Sequence, residues 1–318
     1  MPIGKDIQYA AELLKKGEVV AIPTETVYGL AGNAFNKVTV AKIFAIKNRP
    51  AFNPLIVHIK HIEDLNIVAQ NIDDRLILLM KKFSPGPLTI LVEKKSIVPD
   101  IVTAGSSRVA VRIPAHPMTL SLLNLLDFPL AAPSANPFQY ISPVTAQQVE
   151  EQLGDKIPYI LDGGKCSVGL ESTIVGIEGY DVVVYRLGGL PVEDIKNIVG
   201  NVVIKTKLDN QNVETPGQLK KHYAPKKPLF LGNSKELLHQ YADKKMAWIT
   251  FGKVENASEN VQIFNLSEKG DIYEAASNLF EALYFIDQSD VEIIIADTFP
   301  EEGLGRAIND RLKRAAVQ

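Results

Sequence analysis

Positively charged side chains lie at several points of this sequence where a predicted helix or strand ends. Lys47 and Arg49 stand two residues apart just before a proline, and we expect both to project from one extended segment, because proline bars helical continuation. Arg112 lies within the apolar run VAVRIP (109–114), where a buried guanidinium must find an anion, either an internal carboxylate or one carried by a ligand. Arg186 adds a further cation. These groups suit a polyphosphate or a carboxylate, although a lone charge pair is more often a solvated surface.

Small and hydroxyl-bearing residues dominate the stretch AAPSANPFQYISPVTA (131–146). Small side chains such as Ala132 allow a ligand to approach the backbone closely, and Ser134 and Asn136 add polar groups beside it. Ser142 is predicted to cap the N-terminus of the next helix. A helix N-terminus with hydroxyl donors is a good cradle for a phosphate or an adenosine. A proline-rich connector alone would not explain so many small residues.

Other polar residues also stand near the ends of predicted strands. Thr26 follows a strand in PTETVYGL (23–30), and this segment is equally consistent with a ligand site and with a capped turn. His58 lies in an apolar strand, where a hydrogen-bonded core histidine is the more common arrangement. Ser172 begins a predicted hairpin. The sequence pattern offers no Ser-His-Asp set, metal cage or paired catalytic acids, so it favours an enzyme that binds an anionic nucleotide and works by positioning and charge stabilisation.

The elements that would position these residues divide the chain into three parts. In residues 1–201, strands alternate with helices and the segment 172–188 predicts an antiparallel hairpin, which indicates a large α/β domain with a mixed sheet. From 202 to 228 the apolar pattern fades, which predicts a linker. Residues 229–318 alternate between strand and helix and predict a small Rossmann-like three-layer domain. The length of 318 residues also favours two domains.

Composition and charge narrow the class of protein. Hydrophobic residues make up 46% and charged residues 22% of the chain, as in ordinary globular proteins. The sequence has no apolar run of 18 residues and no leader-like start, so we expect no membrane span and a cytosolic location. The single cysteine, Cys166, excludes an internal disulfide and is expected to be a small turn residue. The net charge of −3 argues against a broad nucleic-acid-binding face, whereas residues 201–228 hold 6 Lys/Arg against 2 Asp/Glu.

Several motifs, in this order along the chain, resemble the YrdC-type threonylcarbamoyl-AMP synthase family in its longer two-domain form. The family's Lys-x-Arg and Ser-x-Asn signature matches Lys47/Arg49 and Ser134/Asn136. The other matching motifs are PTETVYGL, NPLIVHI, VAVRIP, APSAN, ESTIV, YRLG, TPGQLKKHYAPKKP (215–228) and EEGLGRAINDRLKRAA (301–316). The resemblance covers essentially the whole chain and implies a YrdC-like twisted mixed sheet in the large domain.

The resemblance also implies an activity and roles for individual residues. The family joins L-threonine, bicarbonate and ATP into threonylcarbamoyl-AMP, releases pyrophosphate, and so serves the N6-threonylcarbamoyladenosine (t6A) modification of tRNA at position 37. The four signature residues would be catalytic. Threonine would be contacted by Thr26, His58, Arg112, Ala132 and Ser172. ATP, with Mg²⁺ bound mainly through its phosphates, would be held by Lys47, Arg49, Asn53, Ser134, Ser142 and Arg186, and by Tyr223 from the linker.

The same resemblance leaves some points open. Where the family usually has a threonine that touches ATP, this chain has Arg108, which either adds a phosphate contact or points away. Ser106 or Ser107 could then supply the hydroxyl. No strong general base is evident, so we expect the substrate or bicarbonate to take the proton of the amine. The product would pass to a tRNA threonylcarbamoyl transferase complex, with weak or no direct nucleic-acid binding by this chain.

Two other classes of function compete with this interpretation. An RNA-binding module in tRNA or ribosome maturation would show a broad basic surface with interleaved aromatic residues, whereas the aromatic content is 7%. A carbamoyltransferase that uses carbamoyl phosphate is a second alternative, because YrdC-like folds occur in such proteins. Those proteins carry zinc-finger and acylphosphatase-like regions, which this sequence does not show.

Overall fold

The computed structural model describes residues 3–205, 215–216, 221–254 and 258–316. The strands are β1 (Ile3–Gly4), β2 (Val20–Ile22), β3 (Gly29–Asn33), β4 (Ile56–His58), β5 (Ala69–Gln70), β6 (Leu88–Lys94), β7 (Arg108–Arg112), β8 (Leu130–Ala131), β9 (Tyr159–Leu161), β10 (Thr173–Glu178), β11 (Asp181–Arg186), β12 (Val202–Ile204), β13 (Leu229–Leu231), β14 (Met246–Thr250), β15 (Val261–Asn265) and β16 (Ile293–Ala296). The helices are α1 (Ile7–Lys15), α2 (Lys37–Lys47), α3 (Leu65–Val68), α4 (Asp74–Phe83), α5 (Asp100–Thr103), α6 (Pro117–Asn124), α7 (Ala146–Leu153), α8 (Val192–Val199), α9 (Ser234–Gln240), α10 (Ile272–Gln288) and α11 (Gly305–Ala315).

The first twelve strands form one mixed sheet. Their order is β1-β9-β2-β3-β8-β4-β7-β6-β10-β11-β12, and β5 pairs with β6. Strand β4 runs parallel to β7, whereas β6 and β8 run antiparallel to these neighbours. The predicted hairpin is confirmed, because β10 and β11 pair antiparallel. The register places His58 opposite Arg112, so two of the predicted site residues lie side by side at the sheet's centre.

The last four strands form a separate parallel sheet in the order β13-β16-β14-β15. One face, with Met246 and Ile293, packs against α9. The other face, with Ala247 and Ile294, belongs to the apolar cluster that includes α10 and α11. These three layers, with the large mixed sheet, confirm the predicted fold class. In the described part of the chain no helix is both long and apolar enough to cross a membrane.

Several strands and helices of the structure differ from those predicted from the pattern of apolar residues. The small residues of β3 carry little hydrophobic signal, yet this strand lies between β2 and β8. Strand β8 is short, because only Leu130–Ala131 pair regularly before the chain turns. Helix α8 was not predicted. Within the predicted linker, residues 202–204 form β12 beside β11, while 206–214 and 217–220 lie outside the described residues.

Helix α10 also packs against the large domain. Its Asp287 accepts a hydrogen bond from the Tyr140 hydroxyl at 2.6 Å, and Lys165 pairs with Glu281 at 2.5 Å. The backbone at Gly169 comes so close that a Cβ there would lie 2.5 Å from the Ser277 Cα. The chain at this point therefore needs glycine both for the close approach and for its positive φ of 71°.

Replacing Gly169 should weaken the packing between the domains. We expect Gly169→Ala to lower the free energy of unfolding by about 1–3 kcal/mol more than Gly179→Ala, because both alanines adopt positive φ but only the first meets backbone atoms. Gly179 is the matched control, since a Cβ there would meet nothing within 4 Å. Urea denaturation of the two variants measures the difference, and equal losses would show that the close contact is not a constraint.

Candidate active site

Most of the predicted site residues converge on one cavity of about 50 Å³ between the large sheet and the segment around Tyr223. Those that line it are Thr26, Arg49, His58, Arg112, Ala132, Ser134, Ser172, Arg186 and Tyr223. Four others, Lys47, Asn53, Asn136 and Ser142, are buried but do not line it. These lining residues come from the loops after β2, α2 and β8, from β4, β7 and β11, from the residue before β10 and from the segment before β13, so most of them lie at the ends of strands.

Arg112 is held by an internal carboxylate that the sequence analysis did not single out. Its Nη2 lies 2.7 Å from Glu25 Oε1, and its Nη1 donates to Thr26 Oγ1 at 2.9 Å. Glu25 in turn accepts a hydrogen bond from the backbone N–H of Ala115 at 2.9 Å. Of the two anions considered for this arginine, the internal one is therefore present, and a ligand carboxylate would approach from the cavity side.

His58 lies next to Arg112 as a neutral imidazole. Burial, and after it the charge of Arg112, lowers the pKa of His58 to about 3. No described residue forms a hydrogen bond with its Nδ1. The expected core histidine is thus buried as predicted, but one ring nitrogen lacks the protein partner that such a residue normally has.

Lys47 and Asn136 hold the Ser-x-Asn loop in place. The prediction that Lys47 and Arg49 share an extended segment is wrong, because α2 continues to Lys47 and ends at Asn48 in a left-handed conformation. The Lys47 ammonium donates to the carbonyl of Ser134 at 2.6 Å and to that of Asn136. The Asn136 amide donates to the Tyr140 carbonyl at 2.8 Å. Burial, and then the charge of Arg49, lowers the pKa of Lys47 well below its usual value.

Arg49 and Arg186 are two buried cations on the cavity wall. Arg49 donates to the carbonyl of Asn53 at 3.2 Å, while no described residue bonds the Asn53 side-chain amide. Arg186 donates to the Ser172 carbonyl at 2.8 Å and hydroxyl at 3.0 Å. Burial lowers the pKa of Arg49 to about 9 and that of Arg186 to about 10. Both remain charged at neutral pH, so an anion in the cavity would be stabilised by both.

Ser142 does not cap a helix, contrary to prediction. The cap of α7 is Thr145, whose hydroxyl accepts from the Gln148 N–H at 3.2 Å. Ser142 instead donates to Glu171 Oε1 at 2.6 Å, and Arg311 donates to the other oxygen of Glu171 at 2.9 Å. Glu171 lines the cavity and Arg311 belongs to α11, so this carboxylate joins both domains at the site. Neither residue was singled out, because their pairing spans 140 positions.

Tyr223 brings the predicted linker to the cavity. Its side chain is buried, and its backbone adopts a positive φ of 61°. The centroid of its ring lies 4.0 Å from the centroid of the His222 ring and 4.8 Å from the guanidinium carbon of Arg311. Pro216, from the same segment, accepts a hydrogen bond from Arg186 at 3.2 Å. These contacts place the segment on the cavity's cation-rich side.

Arg108 lies away from the cavity. It donates to the Tyr185 hydroxyl at 2.7 Å and lies over that ring, at the far end of β7 from Arg112. Of the two possibilities left open for Arg108, it therefore points away. Burial raises the pKa of the Cys166 thiol to about 12, which agrees with a structural rather than a nucleophilic cysteine. Among the residues that the structure describes, no cluster of three His, Cys, Asp or Glu could hold a metal ion.

Comparison with known proteins identifies relatives over nearly the whole chain. A threonylcarbamoyl-AMP synthase of Pyrococcus abyssi is 39% identical, with 98% of this chain and 94% of that protein covered. One from Bacillus subtilis is 37% identical, with 98% and 92% covered. The crystal structure of P. abyssi Sua5 complexed with L-threonine superposes with a TM-score of 0.90 at 38% identity, over 98% of this chain and 94% of that one.

Family models divide the chain into two adjoining parts. Residues 12–188 match the Sua5/YciO/YrdC model, described as "Telomere recombination", and residues 190–317 match "Threonylcarbamoyl-AMP synthase, C-terminal domain". These matches confirm the resemblance and the prediction of an enzyme. The chain therefore belongs to the Sua5/YciO/YrdC family, in the two-domain form that carries the threonylcarbamoyl-AMP synthase C-terminal domain.

Proposed function

We propose that this chain is a cytosolic enzyme that makes L-threonylcarbamoyl-AMP from L-threonine, bicarbonate or CO₂, and ATP bound as its magnesium complex. Pyrophosphate is the second product, and the adenylate passes to a tRNA threonylcarbamoyl transferase complex for t6A formation at position 37. The observation that carries the proposal is the convergence of three buried arginines, Arg49, Arg112 and Arg186, on one cavity. Membership of the family supports it.

Arg112 is the group that binds the carboxylate of threonine. Its position on β7 is fixed by Glu25 behind it and by Thr26 beside it. A guanidinium held this way offers a preorganised, charge-assisted contact to a second carboxylate without first paying the entropy of ordering a free side chain. Glu25 also offsets part of the positive charge of Arg112.

Arg49 and Arg186 stabilise the phosphates of ATP and the leaving pyrophosphate. Both are buried, so their charges act in a medium of low dielectric constant, where they interact more strongly than in water. Their protein partners are neutral backbone carbonyls and the Ser172 hydroxyl. Charge that develops on the oxygen leaving the α-phosphorus therefore meets cations that are already in position.

The reaction needs threonine's amine in its neutral form. The amine nitrogen adds to CO₂ and loses its proton, and an oxygen of the resulting carbamate attacks the α-phosphorus while the bond to pyrophosphate breaks. Glu25 and Glu171 both face arginines, and His58 has a low pKa, so none is suited to removing a proton near neutral pH. Substrate or bicarbonate accepts the proton in this scheme.

The segment around Tyr223 closes the site in this arrangement. Pro216, His222 and Tyr223 line the cavity, so ATP bound there would lie against this segment. The segment would then exclude water from a labile adenylate, and the basic character of residues 201–228 favours its closure over phosphates.

Pyrophosphate release with a panel of amino acids tests the function. Purified protein with ATP, Mg²⁺ and bicarbonate should release pyrophosphate when threonine is added, and mass spectrometry should detect threonylcarbamoyl-AMP. Omission of bicarbonate is the control and should abolish the adenylate. Stimulation by another amino acid would show that the enzyme uses that amino acid in place of threonine. Inhibition by carbamoyl phosphate would indicate carbamoyl transfer. No release from folded protein under any condition would contradict the proposal.

Two arginines on the same strand provide a matched test of threonine binding. We expect Arg112→Ala to raise the Kd for threonine about 100-fold, because a charge-assisted pair in a buried site is worth about 3 kcal/mol. Arg108→Ala removes the same side chain outside the cavity and should change the Kd less than threefold. Isothermal titration calorimetry measures both. Unchanged threonine affinity in Arg112→Ala would refute the carboxylate role.

Acid sensitivity tests the neutral state of His58. Its pKa falls from 6.5 to about 3 on folding, so below pH 6.5 the unfolded chain takes up a proton that the folded chain does not, and stability is lost as pH decreases. We expect His58 to contribute about 1.4 kcal/mol of loss per pH unit in the free energy of unfolding between pH 6 and 4. His58→Gln should reduce that slope, and the exposed His239→Gln should not. Identical slopes in all three proteins would show that His58 is protonated when folded.

A further inference from the structure

One large aliphatic side chain lines the cavity from the middle of the sheet. Ile56 begins β4, and its side chain lies on the same face of the sheet as that of His58, two residues along. Val57, between them, points to the opposite face and belongs to the main core. Ile56 is buried, and it packs in a small apolar cluster with Ala110 and Ile174. It was not among the residues that the sequence suggested for the site.

The register of the sheet places Ile56 on the same face as His58 and Arg112. Ile56 is paired with Ala110 on β7, and His58 with Arg112 two residues further along. On the other side, the N–H of Ala132 donates to the Ile56 carbonyl at 3.0 Å, and Ala132 also lines the cavity. The cavity therefore has an apolar wall, formed by Ile56 and Ala132, that adjoins a polar wall formed by Arg112 and His58.

We propose that Ile56 is a specificity-determining residue that selects threonine over serine by packing against the γ-methyl group. This inference rests on the proposed function, which places the amino acid's carboxylate on Arg112. With the carboxylate held there, the two substituents on the substrate's Cβ face different walls. The hydroxyl finds hydrogen-bonding groups on the polar side, whereas the methyl leaves water only if it reaches the apolar side.

The size of the effect is bounded by the chemistry of one methyl group. An additional methyl or methylene in an apolar pocket is worth about 10- to 200-fold in kcat/KM. A small cavity makes full use of this difference, because serine would leave part of the apolar wall without contacts. The configuration at Cβ matters for the same reason, since allo-threonine would direct its methyl towards the polar wall.

Truncation of Ile56 with a matched control tests the proposal. Ile56→Ala should lower kcat/KM for threonine at least tenfold and that for serine less than threefold, so the threonine-to-serine ratio falls. Ile174→Ala removes the same atoms from the same apolar cluster but outside the cavity lining, and should leave the ratio unchanged. Pyrophosphate release gives the rates, and thermal denaturation shows whether each variant is folded.

Other outcomes would overturn the inference. Equal losses for threonine and serine in Ile56→Ala would show a structural role, and so would a lower ratio in Ile174→Ala. Val27 also lines the cavity, and if Val27→Ala changes the ratio while Ile56→Ala does not, the methyl lies against Val27. Calorimetric titration of threonine and serine without ATP gives the same ratio independently of turnover. Failure of the wild type to release pyrophosphate would therefore reject the proposed function while the binding ratio still decides the role of Ile56.

Discussion

The rest of the site depends on the burial of positive charge. Arg49, Arg112 and Arg186 line one cavity, yet among the residues that the structure describes only Arg112 has a carboxylate within ion-pair distance, namely Glu25 at 2.7 Å. Burying cations without anions costs several kcal/mol each, and the depressed pKa values of Arg49 and Arg186 reflect that cost. An anionic ligand would offset this cost. The unfavourable burial of the two cations would therefore favour the binding of the polyphosphate proposed above.

Helix α11 of the second domain and the predicted linker both contribute to this balance. Arg311 of α11 pairs with Glu171, and its guanidinium lies over the Tyr223 ring. Arg186 meanwhile donates to the Pro216 carbonyl, a weak substitute for a phosphate oxygen. A nucleotide phosphate in the cavity would compete with the Pro216 carbonyl for Arg186.

The sequence allowed the fold class and the location of the site to be predicted, because both follow from local signals. Apolar runs gave the hairpin of β10 and β11, and loops at strand ends carried most of the lining residues. The carboxylates that pair with the buried arginines could not be predicted in the same way. Glu25 meets Arg112 across 87 positions and Glu171 meets Arg311 across 140, so each pairing depends on tertiary packing. Lys47 was misplaced because the left-handed Asn48, rather than the following proline, ends its helix.

The alternation of side chains along β4 ties the lining of the cavity to the register of the sheet. Ile56 and His58 face the cavity only because β4 pairs with β7 as it does, and a slip of one residue would present Val57 in their place. The neighbouring strands fix that register from both sides, since Val57 is also aligned with Ala131 on β8. The apolar and polar walls of the cavity are therefore set by backbone hydrogen bonds in the rigid centre of the sheet. The amino-acid recognition that we propose would in this way depend on the centre of the sheet, whereas the proposed closure over the nucleotide would involve the segment that carries Tyr223.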